Sequence, residues 1–404
     1  MTILISGAGI GGLTLALALH SVGVRVRLFE RAHAPDEAGA GLQISPNGMR
    51  VFEALGLRRA LEKVAFKPEA VELRFAHSGR TVARVSLGDK VEMRLGAPYM
   101  QVHRGDLYKV LWEAVQAQCG DCVEVGREVT DFHEDEGSVK VHIKDGSTEQ
   151  GVALVGADGI HSIICKRLNT IRQSVVGSGE AAFTGHVAWR GVVPRDYLQH
   201  IDLKPVATSW MAPRSHAVTY FMRGGELVNF VGITEDSNWR EETWVALSDK
   251  ADLVQYFTDW HPEVRAVVEA IDTPYRWALF ERPPLACWSQ GRVTLLGDAC
   301  HGMLPYMAQG ACMAAEDAAV LAQCVQAGSS DIPAAFKRYE ALRRKRTTCV
   351  QAAARRNGKL FHLSNLPARG IAYGVLAATS RLAPRVLESQ SNWIWRYDAF
   401  KAVN

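Results

Sequence analysis

Four glycines crowd Gly7-Ala8-Gly9-Ile10-Gly11-Gly12, and Gly7, Gly9 and Gly12 stand at the three fixed places of G-x-G-x-x-G. That spacing suits phosphate chemistry. The first glycine permits a tight turn, the second lets backbone approach a pyrophosphate, and the third lets a helix pack close on a strand. The helix N-terminus then presents free N–H groups to the phosphates. Glu30, about 20 residues further on, stands where an acid can bind a ribose hydroxyl, with Arg31 beside it. Two more acids sit next to glycine behind apolar runs: Asp158-Gly159 and Gly297-Asp298. His216 and Tyr220 offer a different chemistry. An even number apart on one β-run, they share a face. A histidine titrating near neutrality is a candidate base, and a tyrosine can donate to, or relay a proton from, a substrate oxygen. On residue types alone, a satisfied half-buried histidine and a packing tyrosine are the commoner outcome.

These residues need a scaffold, and the flanking pattern supplies one. Thr2 to Ser6 reads as a buried parallel strand, Leu13 to His20 as a helix on the sheet, and Val24 to Phe29 as a second strand ending in Glu30. Gly39 to Gly48, containing Gln43, forms a glycine-rich loop before a helix from Met49 to Ala54. Val71 to His77 and Thr81 to Leu87 read as a hairpin. Arg104 precedes a helix, as a surface charge or a phosphate contact. Val123 to Val129 and Val139 to Ile143 alternate as strands. From Gly185 to Thr234 the pattern changes to longer β-runs, which argues for a sheet domain inserted into the first. Val293 to Leu296 returns to a buried strand, and a loop with Pro305 leads into a helix from about Ala311 to Val325. The cationic helical run that follows, including Arg343 and Arg346, reads as a solvated face.

The expected fold is therefore α/β: a Rossmann-like dinucleotide-binding domain with an inserted β-sheet domain and a helical C-terminal segment. The first domain is discontinuous, over 1–75, 100–175 and 275–335; the sheet domain takes 76–99 and 176–274, and the helical segment 336–404. A chain of 404 residues can bury cores for both. Its net charge of +3 gives no reason to expect nucleic acid, and no apolar run is long enough to span a bilayer. A strand starting at Thr2 leaves no room for a signal peptide, so a cytoplasmic protein is expected, as a monomer or homodimer. The cysteines are scattered and read as free thiols. No metal site is expected, because neither Cys119-Gly-Asp-Cys122 nor Cys300-His301 has further ligands nearby in sequence.

The glycine fingerprint with Glu30, Ala157-Asp158-Gly159 and Gly297-Asp298, in that order, resembles the single-component FAD-dependent aromatic hydroxylases over roughly residues 2 to 350. That group contains para-hydroxybenzoate, salicylate, 3-hydroxybenzoate and 6-hydroxynicotinate hydroxylases. The resemblance implies that Gly7, Gly9, Gly11 and Gly12 pass the FAD pyrophosphate, with Glu30 on the adenosine ribose and Arg31 beside it. Arg104 would meet the ribityl-phosphate region, Val129 the adenine by its backbone, and Asp298 the ribityl chain. Asp158-Gly159 would serve both FAD and the nicotinamide. Gly310 and Ala311 open a helix whose N-terminus could face the flavin edge where negative charge gathers. His216 and Tyr220 look like the pair that family members place over the substrate. Pro305 and Tyr306 would close the pocket, and Arg190 and Trp210 are candidates to line it.

The activity implied is hydroxylation of a small aromatic substrate with NADH or NADPH and O2, through a flavin C4a-hydroperoxide, in a pocket kept dry. Two alternatives use the same motifs: a flavin dehydrogenase or reductase without oxygen transfer, and a non-catalytic FAD-containing aromatic-binding protein. The pattern around Met307 to Met313 and Glu316-Asp317 looks closest to the salicylate and hydroxynicotinate branch. The hydroxynicotinate branch carries histidines where this chain has Gln43 and Tyr306, neither of which titrates near neutrality. A hydroxybenzoate-type phenol is therefore the first expectation and a hydroxypyridine carboxylate the second.

Overall fold

The computed structural model describes residues 1–34, 40–171, 179–236 and 246–403. Gly39 and the expected domain boundary at 175/176 lie outside them. One sheet is wholly parallel. Its strands run in the order Val293–Leu295, Ala153–Gly156, Thr2–Ser6, Arg25–Glu30, Val123–Val125. The glycine turn, Glu30, Asp158-Gly159 and Gly297-Asp298 all lie at the C-terminal ends of strands of this sheet, where parallel α/β sheets place their ligands. The helix Ile10–Ser21 lies between the sheet and the helices Arg104–Cys119 and Gly310–Ala327. Its stretch from Gly11 to Leu19 is leucine, alanine and glycine apart from Thr14, as suits a helix segment buried on all sides. The expected strand from Val123 to Val129 divides. Val123–Val125 joins the parallel sheet, whereas Val129–Asp135 begins a separate three-stranded antiparallel sheet.

A second, seven-stranded sheet runs in the order Tyr275–Glu281, Ala182–Pro194, Leu227–Glu235, Ser215–Met222, Ala207–Ala212, Ala70–Phe75, Thr81–Ser86. Its pairs are antiparallel apart from Ala207–Ala212 with Ala70–Phe75. The strands Ala70–Phe75 and Tyr275–Glu281 therefore belong to this sheet. That corrects the boundaries read at 75 and 275, which assigned both strands to the nucleotide domain. The register sorts the side chains by face. His216 pairs with Ile233, Val218 with Val231 and Tyr220 with Asn229. Ile233, Val231 and Asn229 in turn pair with Ala188, Arg190 and Val192. All of these share the front face. Trp189, Trp210, Ala217, Phe221 and Phe230 share the back face, packed on the helices Lys250–Tyr256 and Pro262–Glu269.

The long helix Ile332–Phe361 carries a residue that anchors the first domain. Arg343 is fully buried and binds two fully buried acids, Glu316 at 2.6 Å and Asp317 at 2.7 Å. Arg346 adds a contact to Glu316 at 2.7 Å, and the Tyr397 ring lies 3.9 Å from its guanidinium. The expectation of a solvated cationic face thus fails at these two residues, because their partners sit on a helix, Gly310–Ala327, that is mostly buried in the core. Asp317 also accepts from the Gly297 backbone N–H at 3.1 Å and binds His301 Nε2 at 2.5 Å. Glu316 accepts from Asn47 Nδ2 at 2.7 Å, and Asn47 donates to Gln309 at 3.0 Å. Burial alone would raise Asp317; the positive charges of His301 and Arg343 overcome that and hold it below the usual carboxylate range.

Among the described residues no helix is long and apolar enough to cross a membrane. Removing Arg343 would leave two buried carboxylates uncompensated. Arg343→Met is expected to cost about 3–5 kcal/mol of stability, measured as the denaturant midpoint. A loss below about 1 kcal/mol, the scale of an exposed pair, would contradict this assignment.

Candidate active site

The glycine turn is shaped by steric need. Gly7 has φ +101°, and a Cβ there would lie 2.6 Å from the Ala157 carbonyl oxygen. A Cβ on Gly12 would lie 1.9 Å from the Gly7 oxygen, and one on Gly11 2.7 Å from Leu296 Cδ2. A Cβ on Gly9 would meet nothing within 4 Å, so the turn is closed on the protein side and open on the other. The helix Ile10–Ser21 starts there without a side-chain cap, leaving its first N–H groups for a ligand. Glu30 uses its carboxylate locally, accepting from the Ala8 N–H at 2.8 Å and the Ala32 N–H at 2.9 Å. It fastens the turn to the end of its strand, and Arg31 beside it is exposed.

Asp298 forms the other side of the cleft. It opens the short helix Asp298–His301, is exposed to solvent, and its carboxylate receives no hydrogen bond among the described residues. The protein around it raises its pKa, through desolvation first, against the positive charges of His301, Arg282 and Arg104. Gly310 faces it, since a Cβ there would sit 4.0 Å from Asp298 Oδ1. The helix Gly310–Ala327, with Ala311 second, also starts without a side-chain cap. Two uncapped helix starts and Arg104 suit phosphates and an electron-rich ring edge, and a free carboxylate suits sugar hydroxyls. This donor set fits FAD.

Asp158, expected with Gly159 to serve FAD and the nicotinamide, is engaged within its own loop. Its carboxylate caps the helix Ile163–Ile171, accepting from Ser162 Oγ at 2.5 Å and the Ile163 N–H at 2.8 Å. Burial raises its pKa despite those bonds. Gly159, at φ +77° with open space where a Cβ would be, remains accessible backbone. Gln43 accepts from the Tyr99 hydroxyl at 2.5 Å. Val129 starts its strand opposite Ile143, buried.

The front face of the seven-stranded sheet meets this cleft. A Cβ on Gly41 would lie 2.4 Å from Tyr220 Oη, and the Gly41 N–H donates to Asn229 Oδ1 at 2.8 Å. The loop with Gln43 is thus pinned beneath Tyr220. Burial raises the Tyr220 pKa well above 10, so it stays a phenol and a donor. His216 is 1% exposed, its ring 5.2 Å from that of Tyr306. Its Nδ1 lies 2.7 Å from Nε2 of His362, at the end of the helix Ile332–Phe361. Desolvation, then the charges of His362 and His186, push the His216 pKa well below 6.5. That corrects the expectation of a base titrating near neutrality: His216 stays neutral and accepts a proton or hydrogen bond. Tyr306 sits in the turn Pro305–Met307, and Gly358 makes room for its ring, since a Cβ there would lie 2.4 Å from it.

Arg190 shares the front face, buried, its guanidinium 4.8 Å from the Trp277 ring and 5.5 Å from Tyr275. Trp210 does not. It lies on the back face, donating to Thr219 Oγ1 at 3.0 Å and stacked on His261 at 5.3 Å. This corrects its placement at the pocket. It differs from Met211, the cross-strand partner of His216, by a single step in register. Sequence reading missed His362, Asn229 and Gly358, each of which acts across a long sequence separation without a local motif.

A family model described as an FAD binding domain matches residues 1–354. The chain belongs to that family. Across 98% of this chain and 96% of the relative, it is 35% identical to the 3-amino-4-hydroxybenzoate 2-monooxygenase PtmB3 of Streptomyces platensis. It is 36% identical to the 3-hydroxybenzoate 6-hydroxylase of Polaromonas naphthalenivorans, over 90% of this chain and 88% of the relative. It is also 36% identical to the 6-hydroxynicotinate 3-monooxygenase of Bordetella bronchiseptica, over 88% and 91%. A solved salicylate hydroxylase substrate complex superposes with a TM-score of 0.84 at 27% identity, covering 100% of this chain and 97% of that one. The family explains the shape of the glycine turn. Gly12→Val should purify without bound FAD, because a side chain there displaces the Gly7 carbonyl; absorbance of released flavin checks it, and a full yellow complement would contradict it.

Proposed function

We propose that the chain is an FAD-dependent monooxygenase that hydroxylates a small phenolic carboxylate using NADH or NADPH and O2. One observation carries this reading: His216, Tyr220 and Arg190 project from one face of the sheet, against the Tyr306 turn and the Gly41 loop that joins the glycine-turn cleft. The substrate's hydroxyl would donate toward His216, while Tyr220 donates to a ring substituent oxygen. Arg190, buried on that same face, is the residue placed to meet a substrate carboxylate. Arg223 is committed to Asp106 by two contacts of 2.8 Å. Apolar Leu304, Ala188, Ile233 and Tyr306 pack where water must be kept from the ring. The glycine turn, Arg104, Asp298 and the start of Gly310–Ala327 would hold the FAD, which, once reduced by NADH or NADPH, would activate O2 as the source of electrophilic oxygen. The relatives named for 3-amino-4-hydroxybenzoate and 3-hydroxybenzoate favour a benzoate ring. Gln43 and Tyr306 leave no titrating group for a pyridinol, and a 6-hydroxynicotinate-type substrate is the second choice.

The test pairs substrates with variants. Salicylate, 3-hydroxybenzoate, 3-amino-4-hydroxybenzoate and 6-hydroxynicotinate are each offered with NADH and NADPH, and product is identified by mass. Stimulated NAD(P)H oxidation with a hydroxylated benzoate is expected. Turnover of 6-hydroxynicotinate alone would reverse the order, and turnover of large polycyclic rings alone would overturn the reading. His216→Ala and Tyr220→Phe should still reduce flavin, yet release several-fold more hydrogen peroxide per product, since the ring is less well held. Wild-type coupling in both would return the pair to packing.

A further inference from the structure

The end of the front face beyond His216 gathers donors that the reaction leaves unused. His186 and Glu235 are direct cross-strand partners, so both project from that face. His362 reaches them from the long helix, with Nδ1 3.5 Å from Glu235 Oε1. One donor atom from each of the three lies within 4.8 Å of the other two. A separation of 3.5 Å is long for a hydrogen bond but matches the roughly 3.3–3.5 Å between donors sharing a tetrahedral ion. The imidazoles of His186 and His362 have centroids 5.3 Å apart, about the spacing of two rings on one such ion.

Two buried atoms in the same cluster are poorly satisfied. Among the described residues the Tyr306 hydroxyl makes no hydrogen bond and His362 Nδ1 has only its long contact to Glu235, although each residue is only 7% exposed. Buried polar atoms are rarely left so, and a bound species would satisfy them. The other ring nitrogens are already oriented, as second partners orient metal ligands. Thr184 Oγ1 donates to the Leu279 carbonyl at 2.8 Å, so it can accept His186 Nδ1–H at 3.3 Å and leave the lone pair on Nε2. His362 Nε2 faces His216, which leaves Nδ1 for the cluster. Glu235 Oε2 is steadied by Arg214 at 2.8 Å.

We propose that His186, Glu235 and His362 form a site for a borderline divalent transition ion such as Zn2+, two imidazoles and one carboxylate with a fourth position open to water. The sequence expectation of no metal considered neighbours along the chain, whereas these ligands span 176 positions of it. An ion on His362 Nδ1 fixes the proton on Nε2, which donates to His216 Nδ1. His216 then carries its own proton on Nε2 and cannot accept one from substrate. Occupancy therefore slows hydroxylation, a consequence that rests on the role of His216 proposed above.

The test uses the FAD-loaded protein after chelation, titrated with Zn2+ by calorimetry and with Co2+ by visible difference spectroscopy. One ion per chain is expected, with tetrahedral Co2+ bands. His186→Ala and Glu235→Gln should each weaken binding by at least about tenfold while hydroxylation without metal continues. No saturable binding, or binding unchanged in both variants, would overturn the site. Binding lost in both variants, but with Zn2+ leaving wild-type hydroxylation untouched, would keep the site and overturn the role of His216 instead.

Discussion

The active cleft is suspended from one buried ion cluster. Arg343 holds Glu316 and Asp317 with no exposure on any of the three. From those two acids the cluster extends to both sides of the cleft. Asp317 fixes the Gly297 turn that presents Asp298, and Glu316 fixes Asn47 and so the start of the helix Pro46–Ala54. Gln309, just ahead of Gly310, is tied in through Asn47 and Ser45. A buried ion pair is weak evidence of net stability, because desolvation offsets much of its attraction. Its directional bonds instead set position, here of three backbone segments that share no secondary structure.

Segments far apart in the sequence meet through small residues. Gly41 lets Tyr220 lie against the loop, and Gly358 does the same for Tyr306. In both places a side chain would occupy the space of an aromatic ring. The same logic runs through the glycine turn, where Gly12 admits the Gly7 carbonyl. Close approach of backbone to ring or carbonyl is thus the recurring device, and it brings the reacting groups within one cleft without a long bridging side chain.

What could be read from the chain was what is encoded locally. The glycine turn, Glu30, Asp298 and the strand carrying His216 and Tyr220 each depend on residues within a few positions, and their periodicity survives into the structure. Trp210 shows the limit. Strand membership was legible, but the face it takes depends on parity against a partner strand. Arg343 shows another: a cation on a helix reads as solvated until its acids are found on a different helix. His362 and Glu235 carry no motif, and only the fold brings them to His216.

The account stands on transfer of an oxygen atom from O2 to a phenolic ring in this cleft. Single turnover of the reduced, FAD-loaded protein with a hydroxybenzoate under 18O2 tests that step directly, with product analysed by mass. The account predicts one 18O atom in the ring hydroxyl of the product. Flavin reoxidation that yields labelled hydrogen peroxide and returns every phenol unlabelled and unchanged would contradict it, and would point to a flavin enzyme that passes electrons without transferring oxygen.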